Sequence, residues 1–274
     1  MKRKKAAKRA QIVALLAIAC GFLLPLMWML FGSIDPAAGQ RIRLPESPTL
    51  QNYIDVLTEA ANLLGFLNSL ILSAVSSVTV VIFSLLAAYP LSRYPLRGKE
   101  KFMYVILFMT ALPVNAVLVP VFRMFLSFGL QDNRLSVALF MAAVNLPYGI
   151  WMMKNFMDSV PVSLEEAALV DGCGPVRAMR HIIMPLMLPG VFTVLIFVFA
   201  GSWGNFFIPF ILLQSPDKLP ASVRIYQYFQ QVGMIEDGRL TAYAVLYMMP
   251  CVGLYALSQR FMSKGFALSG ADKG

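Results

Sequence analysis

Six long apolar segments constrain what this chain can fold into more than any other feature of its sequence. A helix needs about 20 residues to cross a hydrocarbon layer of about 30 Å, and each segment reaches that length without any Asp or Glu. None shows the alternation of apolar and polar residues that a membrane β-barrel strand requires. The sequence therefore predicts an all-α polytopic membrane protein with six transmembrane helices. These cover residues 11–33, 66–91, 102–124, 135–154, 188–212 and 241–262.

The composition agrees with a membrane protein and argues against a metal site. Hydrophobic residues make up 58% of the 274 positions and charged residues 14%, whereas a soluble domain is about one-quarter charged. The three cysteines, Cys20, Cys173 and Cys251, have no paired spacing, and His181 is the only histidine. These are too few soft ligands for a zinc or iron–sulfur site, so we expect no bound metal.

Residues 1–10 form a basic tail with six Lys or Arg ahead of the first apolar segment. A secretory signal has a similar charge pattern, but its apolar core spans about 7–15 residues and ends at a cleavage site. The uncharged run 12–34 is longer and lacks a convincing site. We therefore favour an uncleaved first span, and we interpret the tail as an orientation signal and not as a nucleic-acid-binding patch.

The distribution of positive charge predicts the orientation of the chain. With the amino terminus in the cytoplasm, the inner segments hold 16 Lys or Arg and the outer segments hold seven. Cytoplasmic loops are normally the richer in Lys and Arg. We therefore expect both termini, the polar segment 155–187 and the carboxy-terminal tail 263–274 to be cytoplasmic, with residues 11–262 forming one transmembrane domain.

The segment 155–187 interrupts the apolar sequence with two adjacent glutamates, two aspartates and two arginines. Ser163 and Glu166 have the spacing of a capping box, which predicts a short helix that starts there. Gly172 suits the left-handed position that follows the end of a helix. The first part of the segment is therefore predicted to be a short helix outside the bilayer.

A second helix of the same segment is predicted to start at Gly174 and Pro175, because proline is favoured at the first position of a helix. Pro185 and Pro189 are predicted to end it before the fifth span. Two short helices joined by a turn form what we call the elbow. The apolar residues predicted to share one face of the second helix are Val176, Met179 and Ile183.

The residues alone leave two interpretations of the elbow open. Its stripe of Leu164, Ala167 and Ala168 has no core of its own to cover, which favours a partner protein that covers it. Equally, Glu166 could be a helix cap only, in an elbow that packs on the helices of its own chain. Composition and periodicity do not separate these two interpretations.

The elbow resembles the EAA loop of permease subunits of bacterial ABC importers. That loop reads EAA, three residues, Gly, nine residues, Ile, one residue and Leu-Pro, and this chain has those spacings, with Met184 in place of Leu. Other segments resemble the carbohydrate-uptake type of the family, and its maltose-type permeases in particular. They are Asn52-Tyr53, Leu67-Asn68-Ser69, 89–93, Asn155-Phe156, 203–206 and Gly265-Phe266. One departure is Trp203-Gly204-Asn205, which replaces the commoner Trp-Asn-Asp/Glu.

The resemblance implies a type I ABC importer permease fold in the bacterial inner membrane. In that family the partners are a second homologous permease subunit, two ATPase subunits and an external solute-binding protein. This chain would form half of the pathway for a sugar or sugar-like solute. The elbow would act as the coupling helix, with Glu165 or Glu166 paired to an ATPase arginine. The implied coupling residues are Glu165, Glu166, Ala167, Ala168, Asp171, Gly172, Ile182 and Pro185.

The carboxy-terminal tail has two interpretations as well. The resemblance to maltose-type permeases implies that it reaches into the ATPase dimer and touches a nucleotide-sensing loop. The residues themselves are equally compatible with a frayed tail, since the segment is short, polar and ends in glycine. The tail residues implied to contact the ATPase are Lys264, Gly270, Lys273 and Gly274.

Amide and aromatic side chains inside the spans suit a pathway for a polyol, because amides bond hydroxyl groups and rings stack on sugar rings. Interhelical hydrogen bonds and ordinary packing explain such residues at least as often. The outer segment 215–239 is either a loop that meets the binding protein or a surface helix. The candidate pathway residues are Asn68, Asn115, Asn145, Tyr148, Trp203, Asn205 and Phe206.

The chain lacks the phosphate-binding pattern G-x-x-x-x-G-K-[ST]. We therefore expect ATP and Mg²⁺ to bind the partner ATPase subunits and no cofactor to bind this chain. An enzyme is disfavoured, because a single histidine on the elbow supports no Ser/His/Asp set. The main alternative is a secondary, ion-coupled transporter, which would need acidic residues within its spans. A passive channel would need a filter-like repeated segment, which the sequence lacks.

Overall fold

The computed structural model of the chain describes residues 2–39, 44–230 and 237–270, and the side chains of residues 8, 11–39, 44–227 and 237–259. Every regular element in these ranges is helical, so the all-α prediction is confirmed there. The described residues also contain a π-helical turn, Met179–Ile183, and a 3-10 turn, Pro216–Lys218. The helices are α1 Lys2–Ser33, α2 Gln51–Thr58, α3 Ala60–Arg93, α4 Lys99–Thr110, α5 Val114–Ser127, α6 Arg134–Asp158, α7 Val162–Val170, α8 Pro175–Ala178, α9 Met184–Trp203, α10 Phe207–Leu212, α11 Ala221–Gln230 and α12 Asp237–Gly270.

Among the described residues, five helices are long and apolar enough to cross a membrane. They coincide with five of the six predicted spans, although most extend beyond the predicted limits. The sixth predicted span corresponds to α4 and α5, a bent pair that forms either one broken span or a re-entrant loop. The five unbroken ones are Gln11–Ser33, Ala60–Arg93, Arg134–Asp158, Pro175–Trp203 and Asp237–Gln259.

The prediction of one continuous helix over 102–124 is wrong, because α4 and α5 meet at an angle of 89°. The break lies at residues 111–113. Pro113 has no N–H to donate, and its ring disfavours the helical conformation for Leu112. The N–H groups of Ala111 and Leu112 instead bond to carbonyls three residues back, at 3.0 and 3.3 Å, which closes the end of α4.

The predicted helix end at Pro185 and Pro189 is also wrong, since one helix runs from Pro175 to Trp203. Within it the N–H of Met184 donates to the carbonyl of Met179, five residues back. Such a π-helical turn is wider than an α-helical turn and changes which carbonyls face the next residues. The proline rings therefore follow a local widening of the helix and do not end it.

The predicted span 188–212 is interrupted further along. Helix α9 ends at Trp203, and α10 restarts at Phe207 after a short break at 204–206. The side chain of Asn205 serves that break, because its Oδ1 accepts the N–H of Ile208 at 3.0 Å. The N–H of Ile208 lies in the first turn of α10, where backbone donors have no acceptor within the helix, and the Asn205 side chain satisfies it.

Contacts divide the chain into two compact units, Met1–Leu63 with Arg224–Met249 and Leu64–Val223 with Pro250–Gly274. In the first unit, α2 closes the end of α1. Asn52 Nδ2 donates to the carbonyls of Ser33 and Asp35 at 3.2 and 3.1 Å, and the Tyr53 hydroxyl donates to Ser33 Oγ at 2.7 Å. The apolar window of α1 within Gln11–Ser33 is 0% buried, so its surface is left for lipid or another chain.

The core of the second unit is built by α3, α6 and α9, which approach closely where a glycine faces a larger side chain. A Cβ built on Gly149 would lie 2.4 Å from Val80 Cγ1, and one on Gly190 would lie 2.6 Å from Phe156 Cγ. Only hydrogen fits there, because real Cβ contacts are longer. The largest core side chains in this region include Leu72, Met141, Met153, Met157 and Met187.

Polar groups of the second unit tie the start of α3 to the segment before α11. Buried Asn68 donates to the carbonyls of Asp217 and Leu219 at 2.8 and 3.2 Å, and its Oδ1 accepts from Arg134 at 2.7 Å. The N–H of Ala221 donates to Ser69 Oγ at 2.8 Å. The Asn68 amide thus uses both its donors and its acceptor inside the chain.

Asp132 orders the same region from the loop before α6. Its backbone has a positive φ of 52°, and its carboxylate accepts the N–H groups of Gln214 and Ser215 at 2.9 and 3.0 Å and the Lys218 ammonium at 2.7 Å. Burial raises the pKa of the Asp132 carboxyl, but the hydrogen bonds from Lys218 and Ser215 outweigh burial and hold that pKa well below its ordinary value. The carboxylate therefore stays charged and keeps these donors in place.

Replacing Gly190 by alanine should destabilise the chain by about 1–3 kcal/mol, because overpacking forces Phe156 or the α9 backbone to move. The matched control is Gly201→Ala in the same helix, where an added Cβ meets nothing within 4 Å. The control should be neutral or slightly stabilising, since alanine favours a helix. Thermal midpoints of both variants in detergent measure the difference, and equal midpoints would contradict the described packing of α9 on α6.

Candidate functional site

The elbow lies at the end of the second unit where α3 and α6 terminate, and α7 is its first helix. Helix α7 starts at Val162 with Pro161 as its N-cap and without a side-chain cap bond. The predicted capping box of Ser163 and Glu166 is therefore wrong. The helix begins two residues too early for it, because Ser163 as N-cap would make Leu164 the first helical residue, whereas Pro161 is the N-cap and Val162 the first helical residue.

The turn between the two elbow helices follows the prediction for Gly172, which has a φ of 78°. The N–H of Gly172 bonds to the carbonyl of Leu169 at 3.1 Å, and the N–H of Cys173 bonds to that of Ala168 at 2.9 Å. These two bonds form a Schellman motif, which satisfies carbonyls at the end of α7. Pro175 then takes the first position of α8, after Gly174. The turn is therefore a defined structure and not a loose loop.

Glu165 points into the chain, where two side chains of α3 hold it. Its Oε2 accepts from Arg93 Nε at 3.0 Å, and its Oε1 accepts from the Tyr89 hydroxyl. The side chains of Arg93 and Glu165 are only 5% and 10% exposed. Both carboxylate oxygens are thus occupied within the chain. We call Tyr89, Arg93 and Glu165 the anchor.

The anchor extends to the segment that leads into the elbow. Arg93 Nη2 donates to the carbonyl of Val160 at 3.0 Å. The neighbouring Ser92 donates to Asp158 Oδ1 at 2.6 Å, and Lys154 pairs with the same carboxylate. The ends of α3 and α6 and the start of α7 are therefore joined by one set of charged hydrogen bonds, which are stronger than neutral ones.

The eight predicted coupling residues differ in how deeply the structure buries them. Glu165 and Ala168 are buried, so they face the second unit itself. Ile182 is half-buried. The exposed members are Glu166, Ala167, Asp171, Gly172 and Pro185. The elbow thus presents one face to its own chain and leaves the other uncovered.

Exposed apolar side chains lie on both sides of the elbow turn. Val170 is 87% exposed and Val176 is 83% exposed. Of the three residues predicted to share one apolar face of the second elbow helix, Val176 is exposed, Met179 is half-buried and Ile183 is buried. Uncovered apolar groups of this kind beside a polar rim mark surfaces that bind another protein or a membrane.

The seven candidate pathway residues differ in their surroundings. Asn68 has its hydrogen-bonding capacity used at the start of α3, and Asn145 donates back to Met141 at 2.8 Å. The Trp203 ring stacks on Phe199 with centroids 5.7 Å apart, and Phe206 stacks on Phe210 at 4.8 Å. Asn205 serves the break before α10, and Tyr148 lies 6.1 Å from Phe197. Asn115, on α5, is exposed.

The predicted carboxy-terminal contacts fall at the limit of the description. Helix α12 continues to Gly270, so the predicted boundary at 262 is not a helix end. The side chain of Lys264 and the whole of Lys273 and Gly274 lie outside the described residues.

Across the described residues, no group of three His, Cys, Asp or Glu could hold a metal ion.

Sequence reasoning missed Tyr89 and Arg93 as site residues. Arg93 was counted among the charges that set the orientation, and both residues lie in the segment 89–93 that resembles the permease family, but neither was given a role. The available signal was an arginine at the end of an apolar span in a chain with 14 acidic residues, two of them adjacent in the elbow. Such a buried charge needs a partner, but the sequence does not say which acidic residue the fold brings to it.

Long apolar helices, two of them connected by an ordered elbow that is uncovered on one face, define the chain as a polytopic membrane protein. The chain belongs to the family of binding-protein-dependent transport system inner membrane components, whose match covers residues 80–266. The matched range contains both the anchor and the elbow. The resemblance to ABC importer permeases that the elbow sequence indicated is therefore confirmed.

Individual relatives cover nearly the whole chain. The inner membrane ABC transporter permease protein YcjP of Escherichia coli (strain K12) is 30% identical over 255 residues, which are 91% of this chain and 89% of that protein. The diacetylchitobiose uptake system permease protein NgcG of Streptomyces coelicolor is 31% identical over 242 residues, 87% of this chain and 80% of that protein.

A solved structure has the same fold. A chain of a bacterial ABC transporter involved in the import of the acidic polysaccharide alginate superposes with a TM-score of 0.82 at 23% identity. The superposition covers 95% of this chain and 98% of that chain. The predicted type I importer permease fold is thereby confirmed.

Replacing Arg93 by alanine should lower the free energy of unfolding by about 3–5 kcal/mol, because it leaves the Glu165 carboxylate buried and unpaired. The matched control is Arg97→Ala, four residues on, whose side chain is exposed and should change stability by less than about 0.5 kcal/mol. Adding Glu165→Leu to Arg93→Ala should recover part of the loss, since no unpaired charge remains. Denaturation in detergent measures all three, and equal stability of the two arginine variants would contradict the anchor.

Proposed function

We propose that this chain is one of two permease subunits of an ATP-driven importer for a sugar or sugar-like solute. It forms half of the translocation pathway, and a second homologous permease subunit supplies the other half. An external binding protein delivers the solute, and two ATPase subunits bind ATP and Mg²⁺. The observation that carries this proposal is the elbow, which is ordered, uncovered on one face and located inside the matched family region.

The uncovered face of the elbow is the surface that we assign to the ATPase. Glu166 is exposed there, next to Ala167 and the Gly172 turn. A carboxylate in this position can accept a charged hydrogen bond from an arginine of the partner. Glu165 is not available for that bond, because Arg93 and Tyr89 occupy both of its oxygens. We therefore assign the ATPase arginine to Glu166.

The charge distribution supports a cytoplasmic elbow. In that orientation both termini are cytoplasmic, and the inner segments hold 16 of the 23 Lys and Arg. The elbow and the loop that follows α3 lie at one end of the second unit, as this orientation requires, and the loop of Asp132 and Lys218 lies at the other. The carboxy-terminal residues Lys264, Gly270, Lys273 and Gly274 would then lie on the ATPase side.

Energy conversion belongs to the partner subunits in this proposal. The chain has no phosphate-binding glycine loop with its lysine, and we propose that it binds no cofactor and has no hydrolytic activity of its own. An ion-coupled transporter would carry an acidic residue within its spans. The six predicted apolar segments have none, and of the paired acidic residues Asp158 is the last residue of α6 and Glu165 lies in the elbow.

The solute class rests on the relatives and on the residues of the spans. One relative is named for diacetylchitobiose uptake, and the alginate importer shares the fold. Trp203, Phe206 and Tyr148 offer rings, and Asn115, Asn145 and Asn205 offer amides, which suit sugar rings and hydroxyl groups. We remove Asn68 from this set, because its amide is fully used in holding the segment before α11.

Replacing Glu166 by lysine should abolish uptake with normal expression, because a lysine opposite an ATPase arginine is repelled. We expect the ATPase subunits to be lost during affinity purification of the permease, and uptake to fall by more than about ten-fold. Glu100→Lys is the matched control, since Glu100 is also exposed and lies on the predicted cytoplasmic side outside the elbow. Uptake by Glu166→Lys at the control level would refute the docking role of this carboxylate.

The solute class is tested through the cognate binding protein of the importer. We expect its thermal midpoint to rise with at least one mono- or oligosaccharide of a panel, because a ligand that binds only the folded state stabilises it. The same panel should contain amino acids, dipeptides and inorganic anions as matched non-sugar probes. A shift confined to a non-sugar probe would overturn the proposed substrate class.

A further inference from the structure

The anchor is a second feature of the elbow, separate from the surface that faces the ATPase. It consists of a buried ion pair and the hydroxyl of half-buried Tyr89 at the junction of α3 and α7. Its members point away from the uncovered face that carries Glu166. The docking proposal therefore assigns no function to these three side chains, although burying charged groups costs desolvation free energy.

Arg93 fixes the elbow helix at two points. It bonds to Glu165 on the first turns of α7 and to the carbonyl of Val160 just ahead of that helix, both at 3.0 Å. Two contacts from one planar guanidinium restrict rotation as well as translation of the helix. Tyr89, one helical turn earlier on α3, holds the other carboxylate oxygen. Helix α7 is thus attached to the end of α3 and cannot turn freely on its connecting residues.

Helix α3 carries that attachment through the whole second unit. It has 34 residues and is therefore about 50 Å long. Midway, Ser202 of α9 donates to Ser76 at 3.1 Å, and Val80 packs against Gly149 of α6. At its far end, Asn68 and Ser69 hold the segment 217–221. A displacement of α7 reaches each of these contacts through one continuous element.

We propose that Tyr89 and Arg93 are positioning residues, which act through Glu165 to make α3 the helix that receives the displacement of the elbow. The ATPase surface is made by Glu166 and its exposed neighbours, and the transfer of motion into the bundle is made by the anchor. The coupling part of this inference rests on the proposed function. The geometric part, which states that α7 and α3 move as one body, does not rest on the proposed function.

The geometric part is tested in the complete importer complex, purified and placed in lipid nanodiscs. Cys20, Cys173 and Cys251 are replaced by serine. Spin labels are then attached to the new cysteines of Leu86→Cys in α3 and Val162→Cys in α7, two positions that are exposed. Pulsed EPR should give one narrow distance with and without Mg-ATP for the parent and for Arg97→Ala. Arg93→Ala should broaden the distribution in at least one nucleotide state. A distribution as narrow as that of Arg97→Ala in both states would overturn the proposal.

The coupling part is tested by the amount of solute transported per ATP hydrolysed. The probe is the radiolabelled sugar that most stabilises the cognate binding protein, with the complex in proteoliposomes. We expect Arg93→Ala to retain its ATPase subunits but to lower this ratio by about five-fold or more, as expected for the loss of a coupling free energy between two sites. Tyr89→Phe should lower it less, and Arg93→Lys should recover part of it.

The ratio separates a positioning role from a merely structural one. Loss of folded protein would lower uptake and ATP hydrolysis together. It would leave the amount of solute transported per ATP hydrolysed unchanged in the complexes that still assemble. A ratio for Arg93→Ala equal to that of Arg97→Ala would therefore refute the coupling role. The two proposals also fail differently. Glu166→Lys tests whether the ATPase docks on the elbow, whereas Arg93→Ala tests what happens to the elbow once the ATPase is docked.

Discussion

A hydrocarbon layer offers no hydrogen-bond partner, and this constraint governs the rest of the structure. Every backbone N–H and C=O in the spans must be satisfied within the chain, which leaves helices as the spanning elements of this sequence. Breaks are then costly unless a local group serves them. Asn205 serves the break before α10, and the bonds of Ala111 and Leu112 close the end of α4. Irregular backbone therefore occurs where the sequence carries proline or glycine together with such a group.

The same constraint moves charge to the ends of the helices. In the second unit, the ion pairs of Arg93 with Glu165 and of Lys154 with Asp158 lie at one end, and that of Lys218 with Asp132 lies at the other. Each set of ion pairs fixes the conformation of a segment that connects two helices. At one end the connection is the elbow, and at the other it is the segment between α10 and α11. The polar ends thus determine the functional surfaces, and the apolar middle determines their separation.

Much of the fold could be predicted because hydrophobic length is a property of sequence alone. Five spans, the left-handed Gly172 and the start of α8 at Pro175 all follow from local rules. The bend of 89° between α4 and α5 did not follow, because proline in a membrane helix is compatible with either a kink or a break. Continuation through Pro185 depended on a π-helical turn, which is rare and which the positions of proline and glycine do not predict.

The sequence by itself determined that the chain is a helical membrane protein with a polar elbow of defined spacing, because length, apolarity and glycine or proline positions act locally. Only the tertiary structure decided which of two adjacent glutamates faces the chain and which faces outwards. That choice depends on the approach of α3 to α7, which brings Arg93 and Tyr89 from more than 70 positions away to Glu165. It leaves Glu166 uncovered, since neighbouring residues on a helix point about 100° apart.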